Sequence, residues 1–351
     1  MGVVPISVSE TFLEILKTLI TEDQAKFLQI FKKRSLNIDQ IKAKTELDDE
    51  ALNKLLEELM NNGVIIGIPS RTTGNIVYYL SPPLPNLFEF PFMKGETGEK
   101  QKKLAQLYDA FFDELGHWAR NFEEVIAKQV KTTAPLTRIV TIQKEVEVGQ
   151  ELVLPYDDVK KIIEKNDIIS TNRCYCRVWK ENLNDPCNLN AQSINCLSFG
   201  RWGTFLIEHG FGKPISKEEA IKMVKEAEDY GLVHKAFHAR QDPELEEQTI
   251  CNCCTCCCQI FQTYNRGIFP FHTLTTSMAI VDTEKCKGCG ICIEKCPIEA
   301  TEMVGDHSIV NVDRCIGCGI CVHHCPEIAR TLERTGIRKV FIPTPKLVEI
   351  D

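Results

Sequence analysis

Eighteen of the 351 residues are cysteine, and their spacing carries the chain's clearest chemistry. Near the C-terminus the string Cys286-Lys-Gly-Cys289-Gly-Ile-Cys292-Ile-Glu-Lys-Cys296-Pro297 recurs as Cys315-Ile-Gly-Cys318-Gly-Ile-Cys321-Val-His-His-Cys325-Pro326. Both copies read CxxCxxCxxxCP. Three thiolates on one tight loop can bind three irons of a cubane, the fourth ligand arriving from elsewhere. Gly288, Gly290, Gly317 and Gly319 let the backbone close round an inorganic core where a side chain would collide. Each proline ends a ligand loop and opens a helix. Zinc usually takes two CxxC pairs with a longer spacer between them, so this pattern points to iron and sulfide.

From about Ala279 to Arg330 the chain resembles the bacterial two-cluster 4Fe-4S ferredoxins. In that family the last cysteine of each run serves the other cluster. The resemblance therefore implies two 4Fe-4S clusters, one held by Cys286, Cys289, Cys292 and Cys325, the other by Cys315, Cys318, Cys321 and Cys296. The repeat extends upstream, Ile280-Val281-Asp282 echoing Ile309-Val310-Asn311-Val312-Asp313. Each copy reads as a short strand, a ligand loop and a short helix.

The other ten cysteines fall in two groups. Cys174, Cys176, Cys187 and Cys196 lie on a stretch that reads mostly as loop from Arg177 to Gly203. Cys251, Cys253, Cys254, Cys256, Cys257 and Cys258 place six thiols in eight residues. Packing does not ask for six cysteines together, and adjacent cysteines pair badly as disulfides, so both groups are metal-ligand candidates. The first offers four ligands for one further iron–sulfur cluster or for zinc, between which spacing does not choose. The second could complete another cluster through Cys251, Cys254 and Cys257 or through Cys253, Cys256 and Cys258, or the two groups could mix. One or two further clusters are expected here.

Strong candidates for proton delivery or anion binding are lacking. His234 and His238 share one side of an extended segment with Ala236 and could donate protons to a substrate or bind metal, while a strand face is the plainer reading. Arg177 and Arg240 complete this weak catalytic set. No phosphate-cradling fingerprint for nicotinamide or flavin is visible.

The elements that must position these residues divide the chain into four. Residues 1–81 read helix, helix, helix, helix and hairpin, an order that resembles a winged-helix domain. Helix 49–62 carries Asp49, Glu50, Glu57 and Glu58 against Lys54, which argues against nucleic acid and for a docking or dimerisation role. Residues 82–134 hold a proline-rich connector and a long helix from about Glu99 to Lys131. Its aromatic stripe, Leu104, Phe111, Trp118 and Val125 beside Tyr108, Leu115 and Phe122, demands cover from the chain's own core or from a homodimer seam. Residues 135–278 form a central cysteine-rich α/β domain. Residues 279–351 form the dicluster ferredoxin domain with a tail. The fold class expected is α+β.

The formal charge is −8, so a positively patched redox partner protein is expected. No apolar run reaches a membrane span, and the N-terminus lacks a secretion signal, so a cytoplasmic place is expected. Exposed clusters are lost to oxygen, which points to an anaerobic setting. The whole chain is similar to dicluster-type iron–sulfur proteins of anaerobic bacteria and archaea, a resemblance that implies redox work. The leading expectation is an electron-transfer protein or subunit. The alternatives are a reductase whose central cluster binds substrate and a redox-sensing regulator.

Overall fold

The computed structural model describes residues 9–32, 35–133, 135, 137–140, 159–238 and 247–345. The first helices begin where short polar side chains can satisfy free backbone N–H groups. Ser9 opens α1 (Glu10–Leu19), Thr21 opens α2 (Glu22–Leu28), Asn37 opens α3 (Ile38–Lys42), and Asp48 opens α4 (Asp49–Asn61). Thr21 and Asn37 each complete a reciprocal capping box, with Gln24 and Gln40. A two-stranded hairpin follows, β1 (Ile65–Pro69) with β2 (Ile76–Leu80). Leu52, Leu56 and Leu59 of α4 face the core, while Asp49, Glu50, Glu57 and Glu58 are exposed.

After one wide turn at Pro83–Leu87 come α5 (Phe90–Met93), α6 (Glu99–Asn121) and α7 (Glu123–Thr132). The single helix expected to Lys131 is broken at Phe122, whose backbone leaves helical geometry at φ −128°. The aromatic stripe is core as far as Leu115. Beyond it Phe122 and Val125 are exposed and α7 buries only Ile126, so little packing holds a straight continuation.

One eight-stranded sheet joins the middle of the chain to its C-terminal part. Its strands are β3 (Thr137–Val140), β4 (Ile169–Asn172), β5 (Cys196–Phe199), β6 (Lys213–Pro214), β7 (Val233–His238), β8 (Glu247–Cys253), β9 (Phe271–Val281) and, from the C-terminal segment, a long last strand at Arg330–Ile342. Between them run α8 (Val159–Glu164), α9 (Tyr175–Asn182), α10 (Gly200–Glu208), α11 (Lys217–Asp229) and α12 (Gln259–Asn265). The C-terminal segment adds α13 (Ile291–Glu294), β10 (Thr301–Val304), β11 (His307–Val310) and α14 (Ile320–His323) before that last strand, β12. The sheet order is β12-β9-β3-β7-β8-β5-β4-β6. Neighbours are antiparallel except for the β3–β9 contact. The strand read at 137–148 is seen as β3, its remainder lying outside the described residues, as does the start of the helix read from Pro155. The architecture is α+β.

Two local readings are corrected. The stretch from Arg177 to Gly203 is not mostly loop: α9, β5 and the start of α10 occupy much of it. Val178 and Trp179 on α9 anchor against the core, a signal that the surrounding Asn, Asp and Pro residues obscured. The sequence Phe199-Gly-Arg-Trp-Gly203 ends a strand and begins α10. There Gly203 passes so close to Ser198 that an added Cβ would lie 2.9 Å from its carbonyl oxygen, so this glycine serves packing.

The N-terminal helices and the sheet layer meet at Trp179. Its ring lies 5.4 Å from Phe112 and 6.2 Å from Phe92, and its Nε1 donates to the Ala105 carbonyl at 3.1 Å. Trp179→Ala should cost about 3–5 kcal/mol, as large-to-small core changes do. Chemical denaturation of the variant should show a lowered midpoint, with an unchanged midpoint telling against this junction as a core.

Candidate functional site

In the C-terminal segment the two cysteine runs are laid out as near copies. Each loop enters its short helix through a left-handed glycine, Gly290 before α13 and Gly319 before α14. Gly288 and Gly317 occupy equivalent places earlier in the loops. A Cβ on Gly288 would lie 2.5 Å from the Asp306 carbonyl oxygen, and one on Gly317 only 2.0 Å from that of Ser277. The loops are thus pressed onto neighbouring backbone, where no larger residue fits.

Four cysteines surround each of two small cavities of nearly equal size. Cys286, Cys289, Cys292 and Cys325 line the first. Cys296, Cys315, Cys318 and Cys321 line the second. Each cavity therefore takes three sulfurs from one run and the last sulfur of the other. The crossing cysteines also match: the Ala300 N–H donates to Cys296 Sγ at 3.2 Å, and the Ala329 N–H to Cys325 Sγ at 3.4 Å. Such bonds stabilise negative charge on sulfur and tune a cluster's potential.

Arg330 stands between the two cavities. Its side chain is buried and donates to Ser308 Oγ at 2.8 Å. It lines the first cavity and lies close enough to Cys321, in the second, to stabilise that thiolate. Burial nevertheless pushes the Cys321 thiol up to about 12 and raises the Cys318 thiol well above its ordinary value, while backbone N–H groups of Ser308 and Gly288 hold Cys286 below its ordinary value.

The central cysteines mix across their two groups, one of the arrangements the sequence left open. Cys187 does not join Cys174, Cys176 and Cys196. It lies with Cys254, Cys256 and Cys257, and the four sulfurs all fall within 4.8 Å of one another. Cys187 Sγ is 3.9 Å from Cys254 Sγ and 3.7 Å from Cys256 Sγ, and Cys256 Sγ is 3.7 Å from Cys257 Sγ. Contact with Cys187 opposes ionisation of Cys256, but contacts with Cys254 and Cys257 bring it down to about 6.

The remaining six close a ring of thiol contacts. Cys174 meets Cys176 and Cys196, Cys196 meets Cys251, Cys251 meets Cys253, Cys253 meets Cys258, and Cys258 returns to Cys176. Strand alternation explains the sorting, because Cys251 and Cys253 of β8 point to one face. Cys258, the cap of α12, returns to them, whereas Cys254, Cys256 and Cys257 sit in the turn between. Neither trio read from the sequence is the one formed.

Two buried cations address these sulfurs. Arg177 donates to the carbonyls of Ile194 and Asn252, and its charge acts on Cys174 and Cys196 of the ring as well as on Cys187 and Cys254. Lys235 is fully buried on β7, opposite Cys251, with its Nζ 3.7 Å from the centre of the Phe261 ring and no hydrogen-bond partner among the described residues. Contacts with Cys176 and Cys253 bring the Cys258 thiol down, with a smaller contribution from the Lys235 charge, which also opposes the upward shift of Cys253. Sequence reading missed Lys235, a lysine in the interior strand β7.

The histidines go elsewhere. His234 and His238 lie on a strand, β7, but both are buried because β7 is interior to the sheet. His234 bonds Asn252 Oδ1 at 2.7 Å and is cross-strand from Asn252, on the face opposite Lys235 and Cys251. His238 packs beside Arg138, 3.5 Å from its Nε, where Arg138 also pairs with buried Glu247. Arg240 lies outside the described residues.

Residues 278–326 match the family of the 4Fe-4S dicluster domain. No curated protein and no solved structure matches the chain. The C-terminal segment is accordingly a 4Fe-4S ferredoxin-like domain, and the protein is an iron–sulfur protein. Among the described residues no helix is long and apolar enough to cross a membrane.

If the crossing geometry governs ligation, Cys296→Ser should damage the same centre as Cys315→Ser, and Cys325→Ser the same centre as Cys286→Ser. Paramagnetic resonance of the four anaerobically purified variants checks this. Pairing of Cys296 with Cys286 instead would contradict it.

Proposed function

We propose that this chain is a one-electron carrier, with Cys286, Cys289, Cys292 and Cys325 holding one 4Fe-4S cluster and Cys315, Cys318, Cys321 and Cys296 the second. The observation that carries the reading is the pair of matched cavities, each completed by the far cysteine of the other run. Bound clusters of this kind take up and release single electrons at potentials set by their surroundings. The protein supplies position, hydrogen bonds and charge.

The six-thiol ring is the third redox site in this proposal, an iron–sulfur centre. The donor chemistry supports it: six soft sulfurs, largely buried, with Lys235 and Arg177 to offset the negative charge that thiolates and sulfide would bring. A continuous core joins it to the second cavity. Cys253 and Cys258 pack in one cluster with Phe261, Tyr264, Phe271, Cys315 and Cys318. Arg314, which precedes Cys315, donates to the Tyr264 hydroxyl at 3.1 Å. Electrons would pass between the central domain and the ferredoxin unit through this packing, and a basic redox partner would meet the exposed ligand loop around Cys289.

The N-terminal module serves docking in this reading, with the winged-helix order reused without a DNA surface. The acidic, exposed side of α4 and the packing of β1 against α10 support that role, Ile66 lying in one core with Phe205 and Leu206. A cytoplasmic, anaerobic setting suits exposed clusters.

Arg330 supplies the direct test. A buried cation stabilises the more negative, reduced state, so its removal must lower the potential. At contact distance and an effective dielectric of about 20, the change is on the order of 100 mV. Arg330→Met should move at least one C-terminal potential downward by that order in a redox titration. Unchanged or raised potentials would contradict the assignment of these cavities as redox centres.

A further inference from the structure

We propose that Cys187, Cys254, Cys256 and Cys257 form a mononuclear tetrathiolate site holding a single zinc or ferrous ion, distinct from every iron–sulfur centre in the chain. The inference goes beyond the electron-carrier reading and does not depend on it.

The argument is one of dimensions. A tetrahedral ion with metal–sulfur bonds of about 2.3 Å sets its sulfurs about 3.8 Å apart. The measured separations are 3.9, 3.7 and 3.7 Å, and all four sulfurs converge within 4.8 Å. A cubane cannot occupy that space, because its thiolates bind four different irons around a core of iron and sulfide and stand much further apart. The same chain provides the contrast. Its two C-terminal cysteine quartets surround cavities, and among the described residues neither they nor the six-thiol ring converges as the Cys187 quartet does. Nor are these sulfurs disulfide-bonded, since a covalent pair lies at about 2.05 Å and all four cysteines are free.

The surroundings are those of an ion site. Cys187, Cys254 and Cys257 are buried and Cys256 partly so. The backbone N–H groups of Ala191 and Asn188 lie near the Cys187 and Cys256 sulfurs. Arg177 acts on Cys254 and Cys187 from the ring side. These groups hold the thiolates in place and offset the net charge of an M²⁺ ion with four thiolates. The ion would clamp the loop bearing Cys187 to the turn between β8 and α12. The cysteines flanking that turn, Cys253 and Cys258, belong to the ring, so the site would fix the ring's geometry.

The test is metal and acid-labile sulfide analysis of the full chain purified without oxygen, wild type against Cys187→Ser. Loss of one zinc, or of one iron with no sulfide, is the expected result, and which metal is lost identifies the ion. Loss of about four irons with four sulfides would overturn the proposal, as would no change in metal content. Should Cys187→Ser fail to fold, Cys256→Ser serves, since Cys256 reaches solvent. Wild-type protein provides an independent reading: zinc-edge absorption should show four sulfurs at about 2.3 Å without a neighbouring metal, or, with iron present, Mössbauer spectra should contain one high-spin ferrous tetrathiolate. Absence of both signatures would also refute the site.

Discussion

Buried sulfur needs compensating charge, and that requirement organises this protein. A thiolate carried out of water is costly unless a metal, a cation or N–H groups receive its charge. Around the C-terminal cavities the chain meets this with Arg330, with the Ala300 and Ala329 N–H groups and with turns that only glycine can make. In the central domain it uses Lys235 and Arg177, both largely withdrawn from solvent. The Lys235 ammonium, set against two aromatic rings with no hydrogen-bond partner among the described residues, is hard to justify by packing alone. Placed beside anionic sulfur, its burial makes electrostatic sense.

The ferredoxin unit grows out of the large sheet. Strand β9 carries the chain across the boundary expected at residue 278/279 without a break, and it pairs with β12 along most of its length. Gly317 lies against the carbonyl of Ser277 on β9, and Thr275 on the same strand is close by. The second ligand loop thus rests on a strand whose other edge meets β3. Rigidity of that shared strand pair fixes the position of the second cavity relative to the central thiols, and fixed separation is what electron transfer requires.

The sequence spoke most clearly where ligand spacing and local structure coincide. The duplicated CxxCxxCxxxCP runs could be read directly, because three ligands in one loop are a local fact. The crossing of Cys296 and Cys325 came with the family resemblance, and the cavities have that geometry. Capping boxes open α2, α3 and α11, the last through Ser216 and Glu219. The central domain was far less legible. Cys187 stands nearer in sequence to Cys196 than to Cys254, yet the fold brings it to the latter, because sheet pairing of β5 with β8 joins distant segments. Alternation along β8 separates Cys251 and Cys253 from Asn252, but the turn that follows has no period from which to read direction. The two histidines on β7 looked chemical by type, and the sheet buries them on the face away from Cys251 and Cys253.

The central claim is that these sulfurs grip metal so that electrons can move singly. Its most direct measurement is a paramagnetic-resonance redox titration of the full chain, isolated and kept without oxygen. The account predicts one-electron signals from two neighbouring, spin-coupled C-terminal clusters and from a further central centre. A colourless chain that gives no signal on reduction, its cysteines bound to zinc alone or joined as disulfides, would contradict it.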